Sequence, residues 1–461
     1  MIFKKFSKLN SGGKYMKKKI LSFILATAMI VSVLGGCSSS SKENEATDET
    51  SAGVTEAAEA PATEAPVKAE PVELTVWGWD ASFNGLALQE ADALYDGATV
   101  NFVEMAKADC LQKIHTALAS GQTDGLPDIV IIGDLSAQGY LMSYPGAFKA
   151  MDGIINYDDF ASYKKAAVTY DGVGYGVPFD TGVAGLFYRT DYIQEVGYTD
   201  EDMQNLTWAE YQELGQKLKE KGHLLQTYNP NDISEFQIML QSAGTWFTDD
   251  AGKANFAKND ALKECIDVFK KFNESDYVKV VSDWTGFAGA INGGEVACVI
   301  RGSWITATIK AAADQSGLWK VAPVPSLSIS GATNKSNQGG SSWYVIENSK
   351  NAEVAADFLA KTFGGSTELY NTLVEKKNIM ATYLPASNVP AYDTADEFFA
   401  GTKINQTLAS WISEIPAVNT GAFSSEAQAA LLAVTPDLLS GKDVDTCLTQ
   451  AEEQFNQTVQ E

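Results

Sequence analysis

Nine tryptophans stand in this chain of 461 residues, and five of them, Trp79, Trp246, Trp284, Trp304 and Trp343, fall at the ends of predicted loops rather than in helical stripes. An indole so placed offers a flat apolar face to a ligand instead of to the core. The same ends of the predicted strands carry polar groups: Asp80 and Asp134 at strand ends, Asp180 at a crossover, and Arg301 where a later strand stops. A carboxylate accepts hydrogen bonds from two neighbouring hydroxyls, and a guanidinium donates several in one plane. A sugar ring, with an apolar C–H face and a rim of hydroxyls, is the kind of molecule such a set suits. Each residue also has a structural alternative. A loop aspartate caps a helix or braces a turn as readily as it meets a ligand. Arg301 has the option of pairing with a carboxylate of its own lobe, and Trp343 opens a predicted buried strand. Trp208 reads as packing at a helix entry, and Asp128, placed at a strand start by Pro127, as structural.

Other chemistries find little support. The two histidines, His115 and His223, lie in no His-Glu-x-x-His pattern, so neither a metal site nor a histidine base is expected. Besides Cys37, the cysteines at Cys110, Cys265, Cys298 and Cys447 form no Cys-x-x-Cys pair; in so large a domain buried free thiols are expected ahead of two disulfides. The glycine runs at residues 172–176 and 182–185 lack the spacing and Lys-Ser/Thr ending of a phosphate loop. No cofactor and no catalytic set is expected. A formal net charge of −25 at pH 7 argues against nucleic acid or anionic lipid held on a basic surface.

The elements that must position these residues follow from hydrophobic spacing. Residues 73–79 read as a buried strand, 98–103 as a second and 127–132 as a third, with helical patterns between them at 86–94 and 108–119. Strand, helix, strand, helix, strand at this spacing implies a parallel sheet with helices on its faces, whose ligands bind beyond the carboxyl ends of the strands. Residues 175–189 hold glycines and a proline between two extended pieces and read as a crossover to a second lobe. Helices are expected there at 207–221, capped by Thr207, at 234–242 and at 260–272, then a strand at 296–300. Residues 339–346 read as a strand returning to the first lobe, where Gly339 and Gly340 permit close backbone approach and offer amides to a ligand. A helix at 352–363 should pack beside it.

At the N-terminus, Lys17-Lys18-Lys19 precede an apolar stretch at 20–33, too short to span a bilayer comfortably, and Gly35-Gly36 stand before Cys37. That order resembles the bacterial lipoprotein signal, which implies that Cys37 is diacylated and becomes the mature N-terminus; Met16 would serve as an alternative start. Residues 38–71, rich in Ser, Thr, Ala, Glu and Pro, hold too little apolar surface to build a core and read as a solvated spacer.

Several motifs in order carry a wider match: Trp77-Gly-Trp-Asp80, Gly125-Leu-Pro-Asp128, Tyr175-Gly-Val-Pro178 before Leu186-Phe-Tyr-Arg189, Leu206-Thr-Trp208, Gly293-Gly-Glu-Val-Ala297 leading to Arg301-Gly-Ser-Trp304, and Gly339-Gly-Ser-Ser342. The chain resembles the family 1 extracellular solute-binding proteins of ABC importers, the maltodextrin-binding-like class. The resemblance implies an α/β, type II periplasmic-binding-protein-like fold with two discontinuous lobes, 72–179 plus 343–388 and 180–342 plus 389–461, behind a signal at 1–36 and a lipidated spacer at 37–71. It places the ligand in the cleft between the lobes, with Trp304 as a stacking aromatic and Trp246 as a matching aromatic of the second lobe. Arg301 departs from the Asn more usual in its stretch. The implied partners are a carbohydrate, the permease subunits of an importer and, through the lipid, a membrane, for a protein expected to be a monomer. Two alternatives remain open. The same fold could take a polyamine, amino-sugar or other metabolite through charge and cation–π contacts. A secreted glycoside hydrolase would need two carboxylates, such as Asp80 and Asp180, across a cleft at about 5–10 Å, but the chain lacks the eight-fold strand–helix period of the usual barrel.

Overall fold

The computed structural model describes residues 71–249 and 251–459. The first sheet is built around Ile129–Gly133, whose five residues are all buried, the pattern of a strand covered on both faces. Val72–Gly78 lies beside it in parallel, with Val76 opposite Ile129, and pairs in parallel on its other side with Ala98–Glu104. The parallel sheet expected from the strand–helix alternation is therefore present for these three strands. Ser341–Val345 then runs antiparallel between Ile129–Gly133 and Gly176–Asp180. It reverses direction because it enters from the second sheet along an extended crossing segment and not through a helical crossover.

The second sheet has Ala184–Arg189 at its centre, buried at all six positions. Cys298–Gly302 and Trp319–Ala322 flank it, both antiparallel. Around it stand the helices expected from periodicity. Trp208–Glu220 opens with a reciprocal capping box, in which Thr207 accepts from the Glu210 amide and the Glu210 carboxylate from the Thr207 amide, satisfying two donors that a helix start otherwise leaves free. Ser234–Ser242 and Asp260–Glu274 follow, the second capped by Asn259.

Two groups of buried apolar side chains hold these layers. One centres on the first sheet, with Leu74, Val76, Ile131 and Trp343, and the other on Leu186, Trp208 and Phe269. The last two helices, Ser424–Leu439 and Val444–Thr458, bury Leu431, Leu448 and Phe455 in the second group. The stretch between them and the first sheet packs in the first group: the Tyr392 hydroxyl accepts from the Ala381 amide, and Phe399 packs against Phe187, a second-sheet residue whose ring belongs to that group. Cys110, Cys265, Cys298 and Cys447 are each free and buried, in line with the expectation of unpaired thiols.

Two chain segments cross between the sheets, one after Asp180 and one before Ser341, and a single lysine ties them. Lys164 lies in the helix Ser162–Val168 and its side chain is 0 % exposed. Its ammonium donates to Asp134 Oδ2 at 2.5 Å and to the carbonyls of Asp180 and Ser341 at 2.9 Å each. Three acceptors match the three donors of an ammonium, the arrangement that makes a buried charge tolerable.

Candidate functional site

A cleft of ≈ 440 Å³ opens beside these crossing segments, within the range of about 300–1,000 Å³ usual for small-ligand sites. Its aromatic wall comes from the helix Trp284–Asn292 and the turn after Cys298–Gly302. Asp283 caps that helix by accepting from the Gly286 amide, which leaves the first-turn indole of Trp284 pointing outward, 54 % exposed. It stacks on Phe287, with ring centroids 5.1 Å apart and planes at 28°. Trp304, 43 % exposed, stands 6.1 Å away and is fixed by donation from its ring nitrogen to the Gln338 carbonyl at 2.9 Å. Two neighbouring indoles left open to solvent mark a surface that awaits an apolar face.

The polar wall grows from the strand end at Arg301. Its guanidinium lies over the Phe287 ring at 4.9 Å and donates from Nη1 to Glu235 Oε1 at 2.9 Å and to the Ile300 carbonyl at 2.8 Å. Glu235, in the first turn of Ser234–Ser242, also accepts from Gln226 Nε2, and Gln226 in turn accepts from the Tyr211 hydroxyl at 2.8 Å. Burial pushes the Glu235 carboxyl above the usual range, opposed by the charge and hydrogen bond of Arg301. Asp232 sits 3.9 Å from Arg301 Nη2. Asn229, Gln237 and Gln338 add amide groups around the rim, and Leu135 is the contribution from the first sheet's side. Such a wall presents fixed donors and acceptors next to stacking faces. Among the described residues no group of His, Cys, Asp and Glu could hold a metal ion.

Residues 87–400 match the family model described as bacterial extracellular solute-binding protein. The chain belongs to that family. It is 42% identical over 387 residues to the lactose-binding protein of Rhizobium radiobacter, an alignment covering 83% of this chain and 92% of the relative. Among solved structures, it resembles the ABC-transporter-associated binding protein of B. animalis subsp. lactis in complex with β-1,6-galactobiose, at TM-score 0.63 and 22% identity, covering 84% of this chain and 97% of that one. It also resembles the sugar-binding protein MalE of Xanthomonas citri, at TM-score 0.69 and 16% identity, covering 84% and 98%. The fold is thus that of the type II periplasmic binding proteins.

In this solute-binding protein the residues singled out from sequence separate into three sets. Trp284, Arg301 and Trp304 come together in the cleft. Asp134, Asp180 and Gly340 meet instead at the crossing segments, bound into the backbone. Asp134 accepts from Lys164 and from the Ser342 hydroxyl. Asp180 Oδ1 accepts from the Ser341 amide at 2.8 Å and its hydroxyl at 2.5 Å. Burial raises the Asp180 carboxyl above its usual range, while Lys164 and Ser341 pull it down. Gly340 has φ 104°, and a Cβ there would stand 2.6 Å from Asp134 Oδ2, so glycine is required both by conformation and by space.

The third set serves packing. Trp343 is wholly buried between Phe179 and Phe363, with ring centroids at 5.3 and 5.4 Å, and takes the strand alternative. Asp80, at φ 56°, caps the turn Ala81–Gly85 through Ser82, the capping alternative. Trp79 is half-buried, with Lys107 Nζ 5.1 Å from its ring centre. Trp246 is buried, donating to Ser424 Oγ at 2.8 Å; its edge meets a smaller recess that shares Leu135, Gln237 and Gly339 with the cleft. Sequence reasoning passed over Glu235, Asp232, Asp283 and Phe287 in the cleft, and Lys164 at the crossing. Phe287 and Asp283 were within reach, as ring and cap of the helix that carries Trp284.

Proposed function

We propose that this solute-binding protein captures a sugar or short oligosaccharide against Trp284 and Trp304 and presents it to the permease of an ABC importer, with no covalent chemistry. The observation that carries the reading is the pair of open indoles 6.1 Å apart that line one cleft together with the Glu235–Arg301 bridge. Stacking serves the C–H face of a sugar, and the fixed donors and acceptors serve its hydroxyls. The names of the relatives, a lactose-binding protein and a binding protein bound to galactobiose, support the same class. The lobes are taken as 72–179 with 343–388 and 180–342 with 389–461, turning on the crossing segments tied by Lys164. Closure over the ligand changes the face that a permease meets. Cys37, which lies outside the described residues, is the proposed lipid attachment that keeps a monomeric protein beside its membrane partner.

The test is titration of tryptophan fluorescence with a panel of galactosides, glucosides and pentose oligosaccharides. Saturable change with at least one of them is the expected result, since a ligand over Trp284 and Trp304 alters their exposure. Silence across the panel, confirmed by calorimetry, removes the carbohydrate assignment. Loss of chain length in an incubated oligosaccharide would instead favour a hydrolase.

A further inference from the structure

The charges around the cleft narrow the class of sugar. Among the described residues that line it, Arg301 is the one cation, set against Asp232, Glu235 and Asp283. Its charge is already engaged. Nη1 is 2.9 Å from Glu235 Oε1, Nη2 is 3.9 Å from Asp232 Oδ2, and the guanidinium covers Phe287 at 4.9 Å. A carboxylate or phosphate on a ligand would have to share Arg301 with Glu235, in a bridge that Gln226 and Tyr211 brace from behind. It would do so facing Asp232 and Asp283, both exposed at the rim. The chain as a whole is also strongly acidic, at −25, so its field repels anions on approach. Hydroxyls face no such penalty, because they donate to the carboxylates and accept from the remaining guanidinium N–H groups. An amine gains further, from the carboxylates and from the indole faces.

We propose that the cleft selects neutral or amine-bearing sugars and rejects sugar acids, with Asp232 and Asp283 acting as the charge filter; this rests on the carbohydrate reading above. The probes are lactose, galactose, galactosamine, galacturonate and, as the polyamine, spermidine, titrated by calorimetry at low salt and at about 0.15 M salt. The neutral sugar should bind, the uronate at least about tenfold more weakly, and the gap should shrink as salt rises. The variant is Asp232→Asn with Asp283→Asn. Each aspartate uses one oxygen to accept a local amide, from Ser234 and Gly286, at 2.8 Å in both cases, and asparagine keeps that acceptor. The doubly substituted protein should recover at least about threefold of the discrimination against the uronate. Equal binding of neutral and acidic sugars, or a ratio unmoved by the two substitutions, overturns the filter. Binding of a polyamine with no response to any sugar overturns the carbohydrate reading itself, and the filter with it.

Discussion

Methionine at position 164 would keep the length of the lysine and delete its charge, which isolates what the buried ammonium does. In the parent, Lys164 Nζ is 2.5 Å from Asp134 Oδ2 and 2.9 Å from the carbonyls of Asp180 and Ser341. The substitution leaves one carboxylate without its partner and two carbonyls without a donor at the place where both crossing segments pass. Removing one member of a buried ion pair costs about 3–5 kcal/mol. Asp134 keeps the Ser342 hydroxyl at 3.0 Å and 11% side-chain exposure, so water and one hydrogen bond soften the loss toward the lower end, about 3 kcal/mol. For a folded body of this size, with unfolding entropy near 2.1 cal/mol/K per residue, that corresponds to a fall in Tm of about 4 °C. Urea unfolding and calorimetry on Lys164→Met, Asp134→Asn and the double variant form a cycle. The double variant should lose at least about 1 kcal/mol less than the sum, because the residues are in contact. A single-variant cost below about 1 kcal/mol, or strict additivity, would refute the account of Lys164 as the tie between the crossings.

Three further outcomes follow from the same geometry. Burial raises the Asp180 carboxyl, so it holds its proton more tightly folded than unfolded. Its contribution to stability is greatest below the ordinary carboxylate range and declines as pH rises through the raised folded value. Asp180→Asn, neutral throughout, should therefore gain on the parent from about pH 4 upward; urea midpoints that keep a constant difference across that range speak against it. Trp304→Ala and Trp284→Ala should each weaken sugar binding about tenfold or more, whereas Trp343→Ala should cost about 3–5 kcal/mol of stability through its core position; calorimetric affinity beside denaturation separates the two. Cys37→Ala should release the protein from cells while purified protein still binds sugar, and unchanged uptake in that strain would count against the tether.

What the sequence made legible, and what it hid, follows from the range of the interactions involved. The alternation of Ile129–Gly133 with helical stretches is a local signal, and so are the cap at Thr207 and the glycine at 340. Trp284 and Trp304 were recognisable because they interrupt periodicity at element ends. Trp343 was ambiguous for the same reason: it stands at a strand start too, and only the approach of Phe179 and Phe363 from distant segments decides that it is core. Asp134 and Asp180 stand out in sequence as acceptors for a ligand or as loop braces, and the partners they take in the fold come from 30 residues away in one case and 161 in the other. Lys164 looks in sequence like any helix lysine on a solvated face. Glu235 gives equally little away, since its meaning comes from Arg301 across 66 residues of chain.

The four buried thiols turn the protein into its own clock for opening. Burial pushes Cys110 up to about 11 and Cys298 up to about 12, and Cys110 lies in the helix Lys107–Ser120 beside the first sheet, while Cys265, Cys298 and Cys447 belong to the second group of buried side chains. A thiol that is both covered and protonated resists alkylation until its surroundings part. Intact mass after timed exposure to iodoacetamide would then show one added group when the first sheet's side loosens alone and three when the second does, giving each half of the molecule a separate opening rate from a single unlabelled sample.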